Sequence, residues 1–155
     1  YQLESPWTDQ DGQTRSLVSL AGRPQLVAMT YTSCQVSCPV IIADLKRIEA
    51  VLEERSVDAG IVLFSLDPSR DTPAKLTAFA TEQGLSSRWT LLRAPDDQVR
   101  EMAALLGVRY LRSQDGEYAH SNMISVLDAG GALAFQQKGL GPNLVTSTID
   151  FMTGQ

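Results

Sequence analysis

Three residues stand out for the chemistry that their types and spacing permit: Cys34, Cys38 and His120, the only cysteines and the only histidine among 155 residues. A thiolate is both nucleophile and metal ligand, and a helix N-terminus favours it over the thiol. Gln35, Val36 and Ser37 separate the cysteines, one residue more than in a C-x-x-C pair. That turn permits either a disulfide or two sulfurs splayed around one metal ion. A disulfide closing so short a loop contributes little to fold stability, because its entropic effect grows with loop length. A chain of this length also buries a core without such a staple. The pair is therefore read as chemistry rather than architecture.

Two soft thiolates suit Cu(I), whereas a structural zinc site normally takes four ligands. Two cysteines and one histidine match trigonal Cu(I) better, and an added oxygen ligand lets the same set accept Cu(II). A lone histidine is most often a surface or hydrogen-bonded residue. His120 is read as a ligand instead because it lies between a polar loop (113–118) and a strand beginning near Asn122. In an open sheet that loop and the cysteine turn fall at the same end. Met123 is the only other soft donor close to it in sequence, and core packing is the favoured reading for that side chain, as it is for Met29, Trp7 and Trp89.

The elements that must position these residues can be read from periodicity. Residues 2–22 are polar, with a turn signal at Asp11-Gly12, and read as an entry hairpin or loop. Residues 24–32 form an apolar run without strict alternation, as expected of a buried central strand. From Pro39 the period changes: Ile41, Ile42, Leu45, Ile48 and Leu52 recur at helical spacing, with Asp44, Lys46, Glu49, Glu53 and Glu54 assigned elsewhere around the wheel. Pro39 suits a first helical turn, which places Cys38 at the helix N-terminus and Cys34 in the turn before it. A second buried strand spans 60–66, and Asp71-Thr72-Pro73 opens a helix to about Glu82. A third strand covers 89–92, a helix 96–106, and a hairpin 122–137 turns at Asp128-Ala129-Gly130-Gly131. A last helix is expected over 143–152.

This order predicts an α/β domain of thioredoxin-like layout, a central mixed sheet flanked by helices with an N-terminal hairpin extension. Residues 1–155 are expected to form one domain, with 1–22 the extension and 23–155 the core. Strand–helix junctions at the carboxyl ends of strands are the usual location of sites in such sheets. The net charge of −5 and the absence of a Lys/Arg cluster argue against nucleic acid as a partner. No apolar stretch approaches the ~20 residues that span a bilayer.

The segment Tyr31-Thr32-Ser33-Cys34-Gln35-Val36-Ser37-Cys38-Pro39 resembles the CxxxCP motif of the Sco/SenC family. Ser65-Leu66-Asp67-Pro68-Ser69-Arg70-Asp71-Thr72-Pro73 resembles that family's DPxRDTP segment, His120 precedes the late hairpin, and Asp9-Gln10-Asp11-Gly12 is similar to the entry region. The resemblance runs from about residue 4 to 152. It implies that Cys34, Cys38 and His120 bind one copper ion per chain, as Cu(I) or Cu(II). It also implies a metallochaperone that assists assembly of the binuclear copper centre of cytochrome c oxidase, taking copper from a donor and passing it to an oxidase subunit. Periplasmic or otherwise extracytoplasmic location, with an N-terminal anchor or signal preceding Tyr1, is implied in the same way. Two departures stand out: Ala119 occupies a place where many relatives carry an acidic residue, and the residues between the cysteines differ from the common proline–acidic pattern.

Two further readings stay open on the residues alone. A low-pKa thiol beside a resolving thiol is sufficient for thiol–disulfide exchange on a partner's cysteines, without metal. A copper or redox sensor would use the same residues. Residues 67–73 are read first as a turn and helix start, with Asp71 or Thr72 as cap and Arg70 paired with a neighbouring carboxylate; a direct role for Asp67 or Asp71 is the second reading.

Overall fold

Two uninterrupted apolar runs, Leu26–Met29 and Ile61–Phe64, form the middle of the sheet because both of their faces are covered. The computed structural model describes residues 5–33, 38–112, 118–120, 122–139 and 141–154. Its strands are β1 (Trp7–Asp9), β2 (Thr14–Arg15), β3 (Gln25–Thr30), β4 (Gly60–Ser65), β5 (Trp89–Arg93), β6 (Tyr110–Arg112), β7 (Tyr118–His120), β8 (Met123–Leu127) and β9 (Leu133–Lys138). Its helices are α1 (Cys38–Glu54), α2 (Pro73–Gln83), α3 (Asp96–Leu106) and α4 (Pro142–Thr153), with a 3-10 turn at Leu17–Leu20.

Seven strands lie in the order β2-β1-β5-β4-β3-β8-β9, with β3, β4 and β5 parallel to one another and the other neighbours antiparallel. The fold is thus α/β with a central mixed sheet, helices on both faces and an N-terminal hairpin. β6 and β7 form a separate two-stranded sheet. Sequence periodicity missed that sheet, because a three-residue strand shows too little alternation to be told from a loop.

Successive side chains of β3 and β4 point to opposite faces. Leu26, Ala28, Ile61 and Leu63 join one cluster with Ile41, Leu45, Ile48 and Leu52 of α1, Leu76 of α2 and Leu144 of α4. Val27, Met29, Val62 and Phe64 join the other, with Val99, Met102 and Leu106 of α3. Trp7 of β1 belongs to this second cluster, its ring edge-on to Phe64 with centroids 4.9 Å apart.

The entry hairpin is held by its own carboxylate. Asp9 is buried, accepts from the Asp11 and Gln13 amides at 2.9 Å each, and pairs with Arg15 Nε at 2.7 Å. Gly12 takes φ +77 in this turn, a left-handed conformation that costs glycine nothing. Gln10 extends the sheet with its side chain, donating to Trp89 O and accepting from Leu91 N.

Asp44 departs from expectation. It is fully buried rather than on the polar side of α1, since it stands three residues after Ile41 and four before Ile48 on the inward stripe. Its Oδ1 accepts from Arg47 at 2.8 Å, and its Oδ2 accepts from the Gly141 amide at 2.8 Å, just ahead of α4. The carboxylate thereby ties α1 to the start of the last helix. Asp44→Ala should lower unfolding free energy by about 1–3 kcal/mol through the stranded Gly141 N–H, read as a drop in urea midpoint. A change within error would show that this tie carries no stability.

Candidate metal centre

Pro39 sets the start of α1, and the structure places Cys38 as the first residue of that helix, beyond the carboxyl end of β3. Cys34, the second expected thiolate, lies outside the described residues, as does most of the polar loop expected over 113–118. His120 is the last residue of β7, and its register partner across the small sheet is Tyr110 of β6. β8 begins at Met123, shortly after His120. The antiparallel register of β3 with β8 pairs Gln25 with Leu127 and Val27 with Ser125. The first residues of β8 therefore lie at the carboxyl end of β3. Cys38 and His120, distant in sequence, occupy the same end of the central sheet.

Met123 is buried in the core, as the favoured reading expected, and so is Met29. Trp7 and Trp89 are buried as well, and the Trp89 indole N–H donates to Glu49 Oε2 at 3.0 Å. Burial raises the Tyr110 phenol above its ordinary pKa of 10.0, opposed by the Arg100 charge and reinforced by Asp96.

The segment 67–73 does more than cap a helix. Thr72 is the cap of α2, its Oγ1 accepting from the Lys75 amide, and Pro73 occupies the first turn. Asp67 is buried, accepts from Ser69 Oγ at 3.1 Å and forms an ion pair with Arg70 Nε. The Arg70 guanidinium also lies 5.9 Å from the centroid of the buried Tyr31 ring. Asp71 is equally buried. It accepts from the Thr32 amide at 3.1 Å, from Ser65 Oγ at 2.7 Å and from the Thr32 hydroxyl. Lys75 Nζ donates to Ser33 Oγ at 3.0 Å. Periodicity does not expose this network, because its partners lie some 40 residues apart in sequence. The available signal was a polar pair, Ser65 and Asp71, bordering an apolar strand.

A model of the SCO1/SenC family matches residues 3–146. The chain belongs to the SCO1/SenC family. Among curated relatives, it is 31% identical over 121 residues to the SCO1 protein homolog of Bacillus subtilis, a match covering 76% of this chain and 62% of that protein. The chain thus spans somewhat under two thirds of that relative's length. Among solved structures, it superposes on a SCO1/SenC family lipoprotein from Bacillus anthracis with a TM-score of 0.89 at 23% identity, covering 97% of this chain and 91% of that one. It superposes on Arabidopsis thaliana ScoI with copper bound with a TM-score of 0.85 at 19% identity, covering 97% and 96%. These likenesses establish the fold, which is the thioredoxin-like fold of the SCO1/SenC proteins.

The family's CxxxCP segment falls on the β3–α1 junction, its DPxRDTP-like segment on the β4–α2 junction, and its histidine on β7. β3 and β4 are adjacent parallel strands, so their two junctions are neighbours at the carboxyl end of the sheet. Of the expected donors, the structure describes the backbone of Cys38 at the head of α1 and of His120 at the end of β7, and this end of the sheet is the candidate centre.

Proposed function

We propose that this chain binds one copper ion through Cys34, Cys38 and His120 and delivers it during assembly of the binuclear copper centre of cytochrome c oxidase. The observation that supports the reading is the β3–β8 register, which puts the start of β8, three residues after His120, at the carboxyl end of β3, beyond which Cys38 opens α1. Membership of the SCO1/SenC family supports the oxidase role, and the copper held by the Arabidopsis protein of the same fold supports the metal. The lipoprotein nature of the Bacillus anthracis relative supports an extracytoplasmic, membrane-tethered setting.

In this reading the two thiolates hold Cu(I), and His120 completes a three-coordinate site or shares Cu(II) with an oxygen ligand. Oxidation of the thiols to a disulfide removes both soft donors, so loading depends on redox poise. Thiol–disulfide exchange is the rival activity: the disulfide of a partner's cysteine pair would pass to Cys34–Cys38, leaving the partner's thiols reduced.

The test adds one equivalent of Cu(II) to reduced protein without oxygen and follows the thiolate-to-copper charge-transfer absorption. A persistent band supports the copper centre. Oxidation of the thiols without a stable band favours exchange. His120→Ala should weaken Cu(II) by roughly tenfold or more and Cu(I) by less, since thiolates alone retain the softer ion. Undiminished Cu(II) binding in that variant would remove His120 from the ligand set.

A further inference from the structure

Asp71 stands out as a buried carboxylate that the metal reading leaves without a task. An ionised or hydrogen-bonding carboxyl is costly to desolvate unless donors surround it, and at Asp71 the donors come from one place. The Thr32 amide and Ser65 Oγ both donate to Oδ2, and the Thr32 hydroxyl donates to Oδ1. Ser65 is the last residue of β4 and the register partner of Thr30, the last residue of β3. Leu66 N–H adds a bond to Thr30 O at 2.8 Å, so the ends of the two strands are already joined. Asp71 extends that junction by two residues along the chain, to Thr32.

A second tie reaches the next residue from the same helix. Lys75 Nζ donates to Ser33 Oγ, and Thr72 Oγ1, which caps α2, fixes the turn that carries both Asp71 and Lys75. The Asp71 amide is itself held by Asp67 O at 2.9 Å, and Asp67 is paired with Arg70. The start of α2 thus grips the two residues that directly precede Cys34. Neither bond is needed to form α2 or β3, whose own ladders and caps are complete without them.

We propose that Asp71 is a positioning residue for the cysteine turn: by holding Thr32 through main chain and side chain, it fixes the direction in which the chain enters the segment from Cys34 to Cys38. The inference rests on the copper reading only in making that turn the metal-binding one; the hold on Thr32 stands without it. Ligand orientation by a hydrogen-bonded neighbour commonly accounts for 10–100-fold in metal affinity. Asparagine retains one acceptor oxygen for the Thr32 amide and Ser65, and its amide nitrogen can donate to the Thr32 hydroxyl acting as acceptor. Asp71→Asn should therefore preserve the geometry, and Asp71→Ala should not.

The experiment compares the native chain, Asp71→Ala and Asp71→Asn by amide hydrogen exchange and by anaerobic Cu(II) titration. In Asp71→Ala, protection of the Thr32 amide should fall while that of the β3 interior persists. Cu(II) affinity should drop tenfold or more with a displaced charge-transfer band, and Asp71→Asn should restore both. Loss of Thr32 protection with unchanged affinity and band would overturn the inference while leaving the copper centre standing. If the native chain holds no copper, the copper reading fails instead. The inference is then judged on the Cys34–Cys38 equilibrium with glutathione, where Asp71→Ala should shift the constant about tenfold, or ~30 mV for two electrons, and an unchanged constant refutes it. Should Asp71→Ala not fold, Thr32→Val removes the hydroxyl bond alone, and the same readouts apply with smaller shifts.

Discussion

Replacing either Cys34 or Cys38 by alanine should abolish stable copper binding. In the proposed three-donor site, each cysteine variant would leave one thiolate and one imidazole, and a two-donor remnant has neither the charge nor the softness that favours Cu(I). The loss should exceed the 10–100-fold typical of removing a residue that merely orients a ligand. Anaerobic competition against a chromogenic Cu(I) chelator measures it directly. The two variants are expected to fail equally, unlike His120→Ala, which separates Cu(II) from Cu(I). Retention of Cu(I) at native affinity by Cys38→Ala would dismiss the site, because Cys38 is the cysteine whose backbone position at the head of α1 the structure describes. The oxidised protein should behave like the double cysteine variant and regain binding on reduction. Acid should weaken binding too, since protons compete with the metal for the sulfur and imidazole donors.

Trp7→Ala should lower the unfolding free energy by about 3–5 kcal/mol, the range for deleting a large aromatic from a packed core. Trp7 is 1% exposed, lies edge-on to Phe64 and packs in the cluster beneath α3. Its strand also carries the β1–β5 ladder, where Thr8 pairs with Arg93 and Asp9 with Leu92. Since domains of this kind have only about 5–15 kcal/mol of stability in total, the variant should unfold at a markedly lower urea concentration. Trp7→Phe should recover most of the loss. A shift below about 1 kcal/mol would mean that the entry hairpin leans on the sheet without completing its core.

The legibility of this fold from sequence follows from how local each signal is. β3 and β4 were readable because burial on both faces leaves a continuous apolar run, and α2 because Thr72 and Pro73 announce its start in adjacent residues. The start of α1 at Cys38 followed in the same way from Pro39. Asp44 is placed on the polar side by its charge, although its spacing from Ile41 and Ile48 sets it on the inward stripe; the Gly141 amide that satisfies it there is 97 residues away. The hairpin of β6 and β7 escaped because each strand is three residues long. Asp71 could be read as a helix cap from its neighbours, yet its partners Thr32 and Ser65 sit on two strands brought together only by the β3–β4 pairing. His120 was chosen for its residue type and its place between loop and strand. Its position at the sheet end depends on the pairing of β3 with β8, which no local pattern encodes.

The sheet that divides the core also divides the tryptophans. Trp7 lies in the cluster on the α3 face, and Trp89, its indole N–H on Glu49, lies in the cluster beneath α1, α2 and α4. With two tryptophans in the chain, each face carries its own intrinsic fluorophore. The emission of the native protein is therefore a composite, and Trp7→Phe or Trp89→Phe reduces it to the signal of one face. Melting of the two half-cores can then be followed separately in a single unlabelled polypeptide.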